Sequence, residues 1–252
     1  MAMIPITGDS SRRRSFPFVN YALILANIAV FVYEVQQGPA FTDCFTQAYA
    51  LVPNDIVQGT AHATATGCAL HPPMPIYLTL ITAMFLHAGL LHIAGNMLYL
   101  WVFGGNVEDA LGHFAYLLFY FFCGLCAFAA QIAFSLYAGQ GAVLNLGASG
   151  AIAGVLGAYL MLFPGARIRT VVFFGLFFIT RLYAWIIILF FIALQLFEAY
   201  YEVLSITNGQ TSTGGGVAFF AHIGGFAVGL VVGLIARVMG AVPPQRPAKS
   251  YA

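Results

Sequence analysis

The segment Gly147-Ala148-Ser149-Gly150-Ala151-Ile152-Ala153-Gly154 opens an apolar run that stops at Phe163, just before Pro164. From Ser149 to Phe163 is about fifteen residues, or roughly 22 Å of helix at about 1.5 Å per residue. A bilayer's hydrocarbon core is about 30 Å thick. A helix that short crosses only if one of its ends lies inside the membrane. Pro164 and the basic pair Arg167 and Arg169 mark the cytoplasmic end. The submerged end is therefore the one that carries Ser149. A serine in that position, flanked by glycines, reads in two ways. It is a helix cap, since serine is a favoured N-cap residue, or it is a hydroxyl placed in the membrane for chemistry.

Composition fixes the class. Hydrophobic residues make up 61% of the chain and charged residues 7%, which is polytopic membrane composition and predicts an all-α helical bundle. Nine basic against eight acidic residues leave a net charge of +1, so the balance implies no nucleic-acid partner. The distribution of the basic residues says more. Arg12, Arg13 and Arg14 precede the first apolar run, Arg167 and Arg169 follow the Ser149 helix, and Arg237, Arg246 and Lys249 follow the last run. The positive-inside rule places all three clusters in the cytoplasm. Gln36 to Leu78 has no lysine or arginine and suits an external loop.

In chain order, residues 1–15 read as a cytoplasmic tail and 16–239 as one membrane domain of six spans. The spans are Phe18–Tyr33, Phe85–Phe103, Phe114–Ser135, Ser149–Phe163, Trp185–Tyr201 and Val217–Val238. Residues 240–252, with three prolines, read as a cytoplasmic tail. The external loop 36–78 is long enough to carry structure of its own. It contains Cys44 and Cys68, which form a disulfide or remain two thiols. Cys123 and Cys126 lie in continuous apolar helix and read as small packing residues. The loop from Tyr137 to Leu146 must dip toward Ser149. Thr170 to Thr180, rich in phenylalanine and bounded by Arg169 and Arg181, is expected at the cytoplasmic interface. Residues 206–216 are rich in Gly, Ser and Thr and read as a mobile outer loop.

Polar residues inside spans are costly and are functional candidates by default. The main ones here are His92, Asn96, Ser149 and His222, with His87 at the margin. Counted from the cytoplasmic end of each span, His92, Ser149 and His222 all lie roughly 20–22 Å up. One depth on three helices predicts one site. Ser149, Ala153 and Gly157 share a helix face, as do His222, Gly225, Gly229 and Gly233. Such small-residue faces let membrane helices approach closely, which brings His222 toward Ser149. A serine hydroxyl needs a base to take its proton, and histidine is the usual one. His92 and Asn96, one turn apart, supply donors that could face an oxyanion together with the Ser149 backbone N–H. No carboxylate sits at this depth, so the pair reads as a dyad without an acidic third member.

Gly147-Ala148-Ser149-Gly150, Ala221-His222-Ile223-Gly224-Gly225 with Gly229, and His92-x-x-x-Asn96 resemble the signature motifs of the rhomboid intramembrane serine proteases. Phe85-Leu86-His87 and Gly105-x-x-Glu108 fit as well, and the resemblance runs from about Phe16 to Val238. It implies a six-helix rhomboid bundle that cleaves transmembrane substrates, with Ser149 as nucleophile and His222 as base. It also implies an oxyanion hole from His92, Asn96 and the Ser149 N–H. Gly147, Gly150, Ala153, Gly225 and Gly229 take supporting positions. The first loop should lie partly in the outer leaflet, residues 206–216 should match the family's cap, and the fifth span its gate for substrates arriving laterally from the lipid bilayer. The chemistry needs no cofactor and no metal. Many members carry an aromatic residue where this chain has Ala153, to stack on the imidazole; either His222 is held less firmly here, or another aromatic such as Phe219 or Phe220 substitutes. His87 is expected to order the first loop, and Glu108 to bind backbone at the inner end of the second span.

Other classes fit less well. An escort protein of the same fold would not need both Ser149 and His222. A solute channel would need polar residues through the full depth. There is no His-Glu-x-x-His motif and no pair of intramembrane aspartates. A compact six-span form with both termini inside suits a prokaryotic inner membrane.

Overall fold

The computed structural model describes residues 2–8, 13–64, 67–208 and 218–241. Its elements in chain order are β1 (Ala2–Thr7), α1 (Phe18–Gln36), α2 (Pro39–Tyr49), α3 (Pro53–Gln58), α4 (Thr79–Thr82, with a 3-10 turn on each side) and α5 (Leu90–Tyr99). A π-helical turn (Leu100–Gly104) joins α5 to α6 (Gly105–Leu111). Then follow α7 (His113–Tyr137), α8 (Ser149–Leu162), β2 (Arg167–Phe174), β3 (Leu176–Tyr183), α9 (Ala184–Thr207) and α10 (Phe219–Val238). Most of the expected outer loop 206–216 and of the tail 240–252 lies outside the described residues.

The helices fall where apolar content puts them. α1, α7, α9 and α10 are each long and apolar enough to cross a membrane. A fifth candidate is a bent pair: Ile76–Phe85 and Leu90–Leu111 together pass the same test and meet at 82°. The short α8 is the sixth apolar helix. The chain is a helical, multi-pass membrane protein.

A three-stranded antiparallel sheet, order β1-β2-β3, accompanies the bundle. It adds to two expectations: within residues 1–15, Ala2–Thr7 pairs with β2, and Thr170 to Thr180 makes up most of a hairpin. Its β-branched and aromatic residues suit a strand, and Gly175, at φ +74°, turns the chain where an L side chain would strain.

The external loop is built rather than loose. Cys44 and Cys68 form a disulfide with Cα atoms 5.4 Å apart, which settles the alternative left open above. Leu51 and Asn145 exchange backbone hydrogen bonds, and the Gly147 N–H donates to the Ala83 carbonyl. The loop ahead of α8 is thereby pinned to the external loop on one side and to the second span on the other. At the other end of the bundle, Glu108 accepts from the N–H groups of Val19 and Asn20. A carboxylate there satisfies the otherwise unpaired donors of the first turn of α1 and complements its dipole.

α8 is the centre of the packing, buried along nearly its whole length, and α10 lies directly on it. The approach is set by glycine. A Cβ on Gly229 would stand 1.9 Å from the Gly154 carbonyl oxygen, and one on Gly225 2.0 Å from that of Gly150. Both obstacles are backbone, so neither can rotate away. Gly229→Ala should therefore destabilise the fold by about 1–3 kcal/mol, read as a lower Tm in detergent. Gly95→Ala, whose Cβ meets nothing within 4 Å, should leave Tm unchanged or raise it slightly.

Candidate active site

Ser149 is the first residue of α8, and Ala148 holds the cap position. Among the described residues, the hydrogen bond that the Ser149 hydroxyl makes runs to His222 and not to a helix N–H. Its Oγ lies 2.7 Å from His222 Nε2, so the structural purpose suggested by its position is not the one its hydroxyl serves. α8 and α10 bring the two together because their glycine faces allow backbone contact at that level. α10 is also held from α7: Gln131 Oε1 accepts from the Ala221 N–H at 3.2 Å, which satisfies a free donor in the first turn of α10. Phe220 stacks on Phe134 with ring centres 3.8 Å apart.

The other imidazole nitrogen is engaged as well. His222 Nδ1 lies 2.5 Å from Gln195 Oε1, on α9. An amide oxygen can only accept, so this bond places a proton on Nδ1. Nε2 is left with a lone pair for the Ser149 hydroxyl to donate to. The imidazole is buried, and Phe191, one turn before Gln195, covers it with ring centres 5.7 Å apart. Phe191 in turn meets Tyr99 of α5 at 5.8 Å. One expectation changes here: the aromatic ring beside His222 is Phe191, whereas Phe220 is occupied by Phe134. The group that faces His222 Nδ1 is a neutral amide and not a carboxylate. Gln195 carried a signal that sequence reasoning passed over: it is a lone amide in the middle of an apolar span, and such residues are functional candidates by rule.

On the other side of Ser149, the His92 ring packs on Gly147. A Cβ there would lie 3.0 Å from His92 Nε2 and 3.7 Å from Ser149 Oγ. Gly147 itself adopts φ +121°. Glycine is thus required twice, for the backbone angle and for the close approach of the ring. The Ala88 N–H donates to His92 Nδ1 at 3.3 Å, which leaves Nε2 as the protonated, donating nitrogen. Asn96, one turn further along α5, is buried, and among the described residues its Nδ2 has no acceptor. His87 lies edge-on to His92 with ring centres 5.0 Å apart.

The remaining candidates are packing residues. Gly150 lies against Ala127 of α7, and Gly154 against Cys123. Ala153 is fully buried in the core. Cys123 and Cys126 are free thiols. Among the described residues no group of three or more His, Cys, Asp or Glu is placed to hold a metal ion.

Several known proteins are similar to this chain. It is 42% identical over 81 residues to the rhomboid protease GluP of Bacillus subtilis, a match covering 32% of this chain and 15% of that protein. It is 33% identical over 158 residues to the mitochondrial rhomboid protein 1 of Saccharomyces cerevisiae, covering 61% of this chain and 39% of the relative. It is 30% identical over 164 residues to the rhomboid-type serine protease 2 of Emericella nidulans, covering 61% and 26%. The match thus spans well under half the length of each of these relatives. The Rhomboid domain family matches residues 76–238, a stretch that holds α5 through α10 and the whole of the geometry above. By that match, over more than half of its length, the chain belongs to the rhomboid family.

Proposed function

We propose that the protein is an intramembrane serine endopeptidase, with Ser149 as nucleophile, His222 as base and Gln195 as the positioning residue that holds the base. The observation that carries the reading is the chain of hydrogen bonds Ser149 Oγ to His222 Nε2 and His222 Nδ1 to Gln195 Oε1, set at the start of a membrane helix. As Ser149 Oγ attacks a peptide carbonyl carbon, its proton passes to Nε2, and the imidazolium keeps its Nδ1–H on the amide oxygen. The carbonyl oxygen becomes an oxyanion beside the Ser149 N–H, the Asn96 amide and His92 Nε2–H. On collapse the C–N bond breaks and Nε2 returns its proton to the leaving amine. Water, deprotonated by the same nitrogen, then hydrolyses the ester.

The unpaired Asn96 Nδ2 supports its place in the oxyanion hole, because a buried donor without an acceptor costs stability unless function uses it. Asn96→Ala should lower kcat about 100- to 1000-fold with little change in KM. Substrates are transmembrane segments that reach Ser149 laterally, past α9 and the outer loop, and are cut near the outer leaflet. Segments with small or helix-breaking residues there are favoured, since a strand must be exposed first. One membrane domain, 16–239, carries the activity, with both termini cytoplasmic. The similar proteins come from a bacterium and from mitochondria, and they give the prokaryotic inner membrane suggested by the compact form no particular support.

The test is purified protein in detergent with a labile transmembrane substrate and mass mapping of the products. One cut in the outer third of the substrate helix is expected. No product, or cuts only in its soluble flanks, would overturn the reading.

A further inference from the structure

The sheet carries a charge arrangement that the proteolytic site does not explain. Arg169 of β2 stands directly opposite Arg181 of β3, and Arg167 opposite Tyr183. Directly opposed residues of an antiparallel pair have Cβ atoms about 4.5–5.5 Å apart, and like charges there are destabilising. Arg167 is steadied by its neighbour, donating to the Tyr183 hydroxyl at 3.1 Å with its guanidinium 5.0 Å above the ring. Among the described residues, no carboxylate lies within ion-pair distance of Arg167, Arg169 or Arg181. All three are exposed. By alternation they share one face of the sheet. The other face holds Ile168 and Thr170, both fully buried.

Further along the same strands the character changes. Leu176, Phe177 and Ile179 are 67%, 74% and 63% exposed, with Phe178 and Phe173 beside them. A solvated hairpin would not keep these side chains in water. β2 follows α8 within a few residues, and β3 passes into α9 without a break. An arginine row backed by an aromatic tip, continuous with two membrane helices, matches the boundary between phosphate and acyl chain.

We propose that this face of the sheet binds anionic phospholipid of the inner leaflet. A headgroup phosphate lies between Arg169 and Arg181, and the hairpin tip lies among the acyl chains. Guanidinium forks suit phosphate oxygens, and one phosphate relieves the repulsion between the opposed pair. A second copy of the chain fits worse: β3 is the sheet edge, and pairing two such edges would bring like arginine rows together. Free phosphate fits worse because it has no use for the exposed aromatics. The proposal uses the cytoplasmic orientation of the basic clusters but not the protease chemistry, so the two fail separately.

The experiment places the purified full chain in nanodiscs of phosphatidylcholine with a minor share of phosphatidylglycerol. Retained lipid is then identified by native mass spectrometry. Wild type should retain phosphatidylglycerol over phosphatidylcholine. Arg181→Gln should weaken that retention about 5-fold and Arg169→Gln/Arg181→Gln about 30-fold, at the roughly tenfold-per-1.4 kcal/mol conversion for about 1 kcal/mol per arginine. Arg181→Gln lies on the exposed edge strand and tests the site even where the double variant does not fold. Arg169→Lys/Arg181→Lys should keep most of the preference. Equal retention of both lipids by wild type, unchanged retention in Arg181→Gln, displacement by millimolar inorganic phosphate, or a lipid-free dimer would each overturn the proposal.

Discussion

Ser149→Ala is expected to abolish covalent labelling by a serine-directed fluorophosphonate and to lower substrate cleavage by about five to six orders of magnitude, while Tm stays close to wild type. The fold should survive because, among the described residues, the hydrogen bond of the Ser149 hydroxyl runs to His222 and not to a helix N–H, so its removal costs that one bond. His222→Ala should lower cleavage to a similar degree, since a serine hydroxyl without a base at Nε2 is a poor nucleophile. The double variant should be no worse than either single one, because the two groups act as a unit. Full activity in either single variant would exclude the dyad. Loss of activity together with a collapse in Tm would instead identify a packing role.

The second large effect is at Gln195. Gln195→Leu keeps the bulk of the side chain within the bundle and removes the acceptor for His222 Nδ1–H. The imidazole can then turn, or take the tautomer with its proton on Nε2, where it cannot accept from Ser149. A hydrogen bond of this kind is worth about 1–3 kcal/mol when its loss leaves a buried donor unpaired. That is about a 5- to 150-fold decrease in kcat, and KM should hold. Gln195→Glu restores an acceptor at the same reach and should recover much of the loss. A residue that merely packs would behave otherwise, with Tm falling in the leucine variant and kcat of the remaining folded protein unchanged. Phe191→Ala should act in the same direction more weakly, since it removes the cover of the ring and leaves both of its hydrogen bonds.

What could be read from the chain divides along physical lines. Apolar length alone located α1, α7, α9 and α10, because in lipid a helix is the only open segment that satisfies its own backbone. The short run after Ser149 was legible for the same reason, taken against bilayer thickness. The hairpin was not. Val171-Val172-Phe173-Phe174-Gly175-Leu176-Phe177-Phe178 has strand propensity and a turn glycine, but in so apolar a chain a continuous hydrophobic run does not distinguish strand from buried helix. Its partner β1 lies some 165 residues away, about thirty times the commonest spacing between successive elements, and no local pattern points to it. In the site, Ser149 and His222 stand out as polar residues within spans that carry glycine faces. Gln195 and Phe191 acquire meaning only once α9 is packed beside α10, because their partner is a ring on another helix.

The pairing of β1 with β2 also sets an order of assembly. Residues 2–7 leave the ribosome roughly 160 residues ahead of the strand they bond to, about 10–30 s at ordinary synthesis rates of about 5–20 residues per second. Over that interval the apolar helices from α1 to α8 are made, while the strand that β1 bonds to does not yet exist. The sheet therefore cannot close until α8 has been made, although α9 and α10 follow it in the chain, and a bulky tag fused ahead of Ala2 should delay that closing step without hindering insertion of the helices.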